Sequence, residues 1–292
     1  MEKKIKKIIE DIRFLVSVAR SSIKVRKIEI EEKDGTFNLR PQIHILLRAG
    51  TGSLKSTILG CVEKVTDAVA VDSSTSPGLV GTIDSKTYQM IPGVAWTGRR
   101  KILLFDEFSF RKKTDDQTVF LKLLEDQKYS KKFGMFSSGQ EEKDEDLYFK
   151  VEKGSIELKT RFSGIIATMR RFESFRGENS KALMNRTIPY EFSFSLDELD
   201  YLLSRTKLFT PIDFTVKPEY AVRSREYSKI KKYIHSRLMD STIARENFAR
   251  IVGDATRIHC ITGNFSKRTL DNLIGWKISS YSKIGEYFKK KK

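Results

Sequence analysis

The chain opens on a helical stripe. Ile5, Ile8, Ile9, Ile12, Leu15 and Val16 recur at three- and four-residue spacing among lysines and acids, the period of an amphipathic helix. We read residues 1–32 as helical on that pattern and EEKDGTFN as a turn. The pattern then changes. QIHILLRAG is an unbroken apolar run closed by glycine, which reads as a strand buried on both faces. STILGCVEKVTDA puts Ile58, Leu59, Val62 and Val65 on one face of a helix. DSSTSPGLVGTID is rich in turn formers. KTYQMIPGVAWTGRR leads into KILLFDEF, a second buried strand, ending in two carboxylates. QTVFLKLLEDQKYS is an amphipathic helix. GMFSSGQEEKDEDLYFKVEKGSIELK reads as a long hairpin whose turn, EEKDED, should be acidic and exposed. TRFSGIIATM is a third buried strand, and ALMNRTIPYEFSFSL closes the core, with alternation in IPYEFSF. From residue 214 the pattern is helical throughout, to the tail FKKKK.

Buried strands alternating with helices imply an α/β fold with a parallel sheet flanked by helices. We expect an N-terminal helical segment over 1–40, an α/β core over 41–213 and a smaller helical domain over 214–292. No internal repeat interrupts this order.

Composition narrows the chemistry. The two cysteines, Cys61 and Cys260, form no CxxC pair and lie among apolar neighbours, so buried free thiols are expected rather than a structural zinc site. The three histidines, His44, His235 and His259, have no metal-ligand spacing. No apolar run approaches the roughly 18 residues of a membrane span, and FLVSVA is too short for a signal-peptide core. A soluble, cytoplasmic chain is expected. The formal charge of +17 points to a polyanionic partner. Nucleic acid is favoured over membrane, because no helix combines a strongly basic face with a Trp/Phe/Leu face.

Between the first buried strand and its helix stands Ala49-Gly50-Thr51-Gly52-Ser53-Leu54-Lys55-Ser56-Thr57. Strand, glycine loop and helix are the context that a phosphate-binding loop requires. Backbone amides of this loop would cradle phosphates. Lys55 would reach the β- and γ-phosphates, Ser56 would ligate Mg²⁺, and the helix would point its positive end at the anion. Leu54 stands where a glycine is expected. The strand Ile102–Phe105 then places Asp106 and Glu107 at its tip. Asp106 would hold Mg²⁺ through water and Glu107 would polarise the attacking water, making ATP and Mg²⁺ the expected ligands. Taken singly, each motif also reads as an ordinary strand terminus. Their order and context carry the nucleotide reading.

The order of motifs resembles the AAA+ ATPases and, within them, the minichromosome maintenance (MCM) helicases. AGTGSLKST is similar to the MCM loop G-D-P-G-x-A-K-S, which also lacks the glycine before its lysine, with Gly52, Lys55 and Ser56 aligned. SSTSPGLVGTID resembles S-S-A-A-G-L-T-A, where that family's helix-2 insertion begins. FDEFS resembles I-D-E-F-D. LLEDQKYSKKFG resembles E-A-M-E-Q-Q-x-x-S-x-x-K-A-G, which leads into the presensor-1 hairpin. TRFSGIIATMR resembles A-R-C-S-V-I-A-A-A-N-P, and ALMNRTIPYEF resembles L-L-S-R-F-D-L. TIARENFARIVGDATRI resembles the lid segment T-x-R-x-L-E-x-L-I-R-L-x-E-A. The matches run collinearly from residue 40 to residue 260.

The resemblance implies an AAA+ P-loop core with a helix-2 insert, a presensor-1 hairpin and a C-terminal helical lid. Asp106 and Glu107 become the hydrolytic carboxylates. Arg186 becomes the arginine finger that reaches a neighbouring subunit's γ-phosphate, and Arg245 the sensor-2 arginine, also supplied across the interface. Without the resemblance, both read as surface arginines. The polar sensor-1 position falls on Met169, which cannot orient water by hydrogen bonding. Either Thr168 does so after a one-residue shift, or the site is slow. The family's hairpin touches DNA with a basic tip, whereas EEKDED should repel phosphate. Lys131 and Lys132 on the first strand and Lys150 and Lys153 on the second are better DNA candidates, with a charged outer ribbon face as the plain alternative. Lys86 in the insert is another. We expect a minimal form, without the family's N-terminal OB and zinc region or its C-terminal winged helix, which would suit a virus or mobile element.

These readings give an ATP-hydrolysing, ring-forming DNA helicase or translocase core acting in replication. Its partners would be single-stranded or forked DNA, further copies of itself in a ring of about six by resemblance, and a replication protein. Two alternatives stand beside it. One is an AAA+ initiator or loader that remodels protein–DNA complexes without unwinding. The other is a weakly hydrolysing, ATP-dependent assembly module.

Overall fold

The computed structural model describes residues 2–50, 55–71, 75–84, 86–87, 89–106, 114–132, 139–152, 154–169, 178–194, 198, 206–238, 247–263 and 266–289. Helix α1 (Glu2–Ser22) is followed by β1 (Lys27–Glu32), β2 (Gly35–Leu39), β3 (His44–Arg48), α2 (Lys55–Val65) and β4 (Val69–Ala70). Next come α3 (Ser76–Val80), β5 (Gly81–Ile83), β6 (Met90–Pro92), α4 (Val94–Thr97) and β7 (Ile102–Phe105). Helix α5 (Thr114–Asp126) leads into β8 (Lys128–Lys132), β9 (Gln140–Asp144), β10 (Leu147–Glu152), β11 (Ser155–Lys159) and β12 (Ser163–Thr168). Then follow α6 (Glu178–Arg186), β13 (Thr187–Glu191), a 3-10 turn (Thr206–Phe209), β14 (Glu219–Val222), α7 (Ser224–Leu238), α8 (Phe248–Thr262) and α9 (Lys267–Lys289).

The centre is a five-stranded, all-parallel sheet in the order β13-β3-β12-β7-β4. The three apolar runs IHILL, ILLF and GIIAT supply its middle strands. Alternation sorts their side chains onto two faces. Ile45, Leu47, Ile102, Leu104, Ile165 and Ala167 join α1, α2 and the C-terminal helices in one cluster. Leu46, Leu103, Phe105 and Ile166 join α5, α6 and an antiparallel sheet in another. The crossover from β3 therefore runs on one face, and those from β7 and β12 on the other. That reversal creates a switch point between β3 and β12 at their carboxyl ends, where α/β sheets bind ligands.

Helix α1 buries all six stripe residues against the sheet, so the N-terminal segment is part of the core. The helix stops at Ser22, however, and residues 27–32 form a strand rather than the helix we expected. KIEIEE alternates, with Ile28 and Ile30 buried. Strand β1 pairs antiparallel with β2 and parallel with β14, at Glu219–Val222. That strand and the non-helical residues 214–218 before it depart from the helical reading from residue 214. Similarly, α5 ends at Asp126, and KYSKK is a strand. Cys61 and Cys260 are buried free thiols. No helix among the described residues is long and apolar enough to cross a membrane.

Polar groups tie distant segments together inside this core. Lys277 on α9 is 0% exposed. Its Nζ donates to the Thr187 carbonyl at 2.6 Å and lies 2.7 Å from Asp254. Asp254 also pairs with Arg257 at 2.5 Å, and Arg257 Nε donates to the Arg40 carbonyl at 2.5 Å. Burial raises the Asp254 pKa, but Lys277 and Arg257 outweigh it and hold the carboxyl below its ordinary value. His44 bridges β12 and α5. Its Nδ1 accepts from the Gly164 amide and its Nε2 lies 2.9 Å from the Leu124 carbonyl, which fixes the Nε2–H tautomer.

Burial, reinforced by the charge of Arg40, holds His44 well below the usual imidazole range. The folded state therefore keeps it neutral while the unfolded chain takes a proton near pH 6.5. Its contribution is present above that pH and lost as pH falls, by up to about 1.4 kcal/mol per unit. The urea midpoint is expected to drop between pH 7.5 and about 5.5. His44→Gln keeps a donor and an acceptor, and should flatten that drop. Equal slopes in the two proteins would contradict this assignment.

Candidate nucleotide site

The carboxyl ends of β3, β12 and β7 bring three of the expected groups to one rim. Lys55 is the first residue of α2 and only 6% exposed. Its Nζ donates to the carbonyls of Ala49 and Gly50 at 3.1 and 2.9 Å. Ala49 N in turn donates to the Thr168 carbonyl at 3.4 Å, so the loop's entry is pinned to the neighbouring strand. Ser56 is exposed beside Lys55, and Thr57 is half-buried. Asp106 is exposed just beyond β7, on the face that Leu104 shares with α2 by alternation. Two interstrand spacings separate β3 from β7, about 10 Å. A metal ion with its waters and a phosphate chain is suited to span that gap. Residues 51–54, Glu107 and Arg245 lie outside the described residues, and so does Lys153.

Among the described residues, no group of three or more His, Cys, Asp or Glu side chains could hold a metal ion. Mg²⁺ bound with nucleotide phosphates needs only one or two protein oxygens, and Ser56 and Asp106 would provide them. Thr168 and Met169 part company. Thr168 is 2% exposed and shares by alternation the face of Ile166, opposite that of Asp106, whereas Met169 is 43% exposed at the rim.

Arg186 is at the other end of the sheet, on the last residue of α6 before β13 begins. One guanidinium nitrogen donates to the Ala182 carbonyl at 3.1 Å and another pairs with Glu125. Arg40, Arg250 and Arg257 surround them. Sequence reasoning missed Arg40, Glu125, Arg250 and Arg257 because they come from three separate segments, and nothing local marks them. Ala249 and Arg250 line the same cavity. They begin the helix that follows the Arg245 segment.

The antiparallel sheet β8-β11-β10-β9 replaces a simple hairpin. Its acidic turn is largely exposed, as expected, but its carboxylates are paired. Asp144 takes Arg99 at 2.8 Å and Arg100 at 3.0 Å, Glu145 takes Arg100 at 2.9 Å, and Asp146 takes Arg161 at 2.7 Å. Glu142 accepts from the indole of Trp96 at 2.5 Å. Burial raises the Asp146 pKa, but Arg161 and Lys159 more than offset it and hold the carboxyl below its usual range. The acids staple the sheet to the core. Lys131, Lys132 and Lys150 lie toward the opposite end, where Lys132 faces Ser155 and Lys150 faces Glu157 across the ladders. Lys131 and Lys132 are exposed, while Lys150 pairs with Glu152 at 2.5 Å. Lys86 is exposed near the tip of the β5–β6 hairpin, where Asp84 accepts from its amide at 2.8 Å. Glycine is required at that hairpin's base. A Cβ on Gly93 would fall 2.4 Å from the Leu79 carbonyl oxygen.

These features define an α/β protein with a five-stranded, all-parallel sheet flanked by helices, compatible with a P-loop-like core followed by C-terminal helices. No protein-family model matches the chain, and no curated protein is significantly similar to it.

Proposed function

We propose that this chain is an MCM-like AAA+ ATPase that assembles as a ring and moves along DNA. The supporting observation is the division of the site's parts between two ends of one parallel sheet. Lys55, Ser56 and Asp106 lie at the carboxyl ends, and Arg186 lies where β13 starts. β13 has five residues, a span of roughly 16 Å. Arg186 therefore belongs to a nucleotide held by another copy rather than to its own. A site shared head to tail repeats around a ring when the rotation closes. ATP with Mg²⁺ is the ligand that Lys55, Ser56, Asp106 and Glu107 suit, and Arg186 offsets charge developing on the transferred phosphate. The net charge of +17 and the lysines at 86, 131, 132, 150 and 153 suit a DNA backbone.

A second reading is a weakly hydrolysing assembly module. The exposed Met169 and the buried Thr168 favour it, because neither offers a polar group at the rim on the Asp106 face. ATP hydrolysis with and without single-stranded DNA separates the two readings. The translocase reading expects stimulation by DNA and strand separation of a forked duplex, and Glu107→Gln should retain ATP binding while losing turnover. Turnover unchanged in Glu107→Gln would remove the assignment of that carboxylate. Hydrolysis indifferent to DNA would favour the module.

A further inference from the structure

The cavity around Arg186, of about 280 Å³, is lined by four guanidinium groups, Arg40, Arg186, Arg250 and Arg257, and one carboxylate, Glu125. Its charges do not balance. Arg257 shares Asp254 with the buried Lys277. Arg250 is exposed and makes no ion pair among the described residues. The Nε atoms of Arg40 and Arg186 are buried and make no hydrogen bond. Burial and the charges of Arg257 and Arg186 push the Arg40 guanidinium down to about 9, against the pull of Asp254 and Glu125.

Glu125 is the group least committed to this arrangement. Its side chain is 51% exposed, and Arg186 is 24% exposed. Ion pairs this open to solvent are weak and screened by salt. Guanidinium forks match phosphate oxygens at least as well as a carboxylate, and a phosphate carries more charge. A phosphate group is therefore the better occupant of the cavity.

We propose that Glu125 is a displaceable stand-in for a phosphate oxyanion. It holds Arg186 in the free chain and gives way when the terminal phosphate of a nucleotide bound to a second copy enters the cavity. This rests on the proposed function above. It adds a release step: the arginine is withheld from solvent anions until the copies meet.

The test uses inorganic tripolyphosphate on a Lys55→Ala background, which removes the loop's own phosphate grip. Glu125→Gln should tighten tripolyphosphate binding by about tenfold in calorimetry, and adding Arg186→Ala should abolish the gain. Asp126→Asn, which removes the same charge one residue away, should change affinity little. An equal gain from Asp126→Asn, or none from Glu125→Gln, overturns the proposal. With Lys55 intact, Glu125→Gln should also shift ATP-dependent self-association to lower protein concentration. A gain with free tripolyphosphate but no shift in self-association overturns the second copy as the phosphate's source. The underlying functional reading is judged separately, by ATP binding to the wild-type chain.

Discussion

Lys55→Ala is expected to lower ATP hydrolysis by at least 100-fold, the effect of deleting one preorganised charge-stabilising donor. Lys55 is not a surface lysine that swings in from solvent. It is buried at the first position of α2, and its ammonium already rests on the Ala49 and Gly50 carbonyls. Those two carbonyls belong to the entry of the loop itself, so the ammonium waits where the phosphates would arrive. The positive end of α2 adds to the same field. Folding should suffer far less. Its bonds to the Ala49 and Gly50 carbonyls sit at a rim and contribute on the order of 1 kcal/mol each. Phosphate release measured beside thermal unfolding checks both parts. Hydrolysis within a few-fold of wild type would mean that Lys55 does not hold the phosphates.

Asp254→Asn should have the largest effect on stability, about 3–5 kcal/mol. Asp254 is the shared anion of two buried cations. Removing its charge leaves the fully enclosed Lys277 ammonium facing the neutral Thr187 carbonyl and the new amide, and leaves Arg257 with the Arg40 carbonyl. Isolated buried charges are penalised heavily, whereas removing both members of a pair is often close to neutral. Combining Asp254→Asn with Lys277→Met should therefore recover much of the loss. Urea unfolding of the single and double variants tests this. A single variant within 1 kcal/mol of wild type, or a double variant no better than the single one, would mean that Asp254 does not neutralise these buried cations. The network also fixes the backbone beside Arg186, since Thr187 is the residue that Lys277 grips.

Much of the central sheet could be read from the chain because its strands are buried on both faces. IHILL, ILLF and GIIAT are continuous apolar runs, and such runs require cover on each side. The stripe in α1 was equally legible, but its end was not. KIEIEE carries a period-two signal in Ile28 and Ile30 that the preceding helical stripe masked. EYAV becomes strand β14 only because β1 lies alongside it, and pairing between residues so far apart in sequence leaves no local mark. Strand β9 was hidden for another reason. Its inward positions, Gln140, Glu142 and Asp144, are polar, and two of them meet Trp96, Arg99 and Arg100 rather than an apolar core. Acidic composition suggested a turn that repels phosphate because the arginines that neutralise it come from two other segments, around residues 100 and 161. Of the candidate site, Lys55 and Asp106 were legible as strand-end chemistry. The surroundings of Arg186 were not, because Arg40, Glu125, Arg250 and Arg257 converge only in three dimensions.

On the proposed reading, one copy's nucleotide, gripped at Lys55, is completed by Arg186 of another. Mixing Lys55→Ala subunits with Arg186→Ala subunits tests it most directly, with ATP hydrolysis as the readout. Each variant alone should be nearly inactive. The mixture should hydrolyse ATP several-fold faster than the sum of the two, because some interfaces then pair an intact Lys55 with an intact Arg186. A mixture that co-assembles and hydrolyses no faster than that sum would mean that Arg186 does not act on another copy's nucleotide.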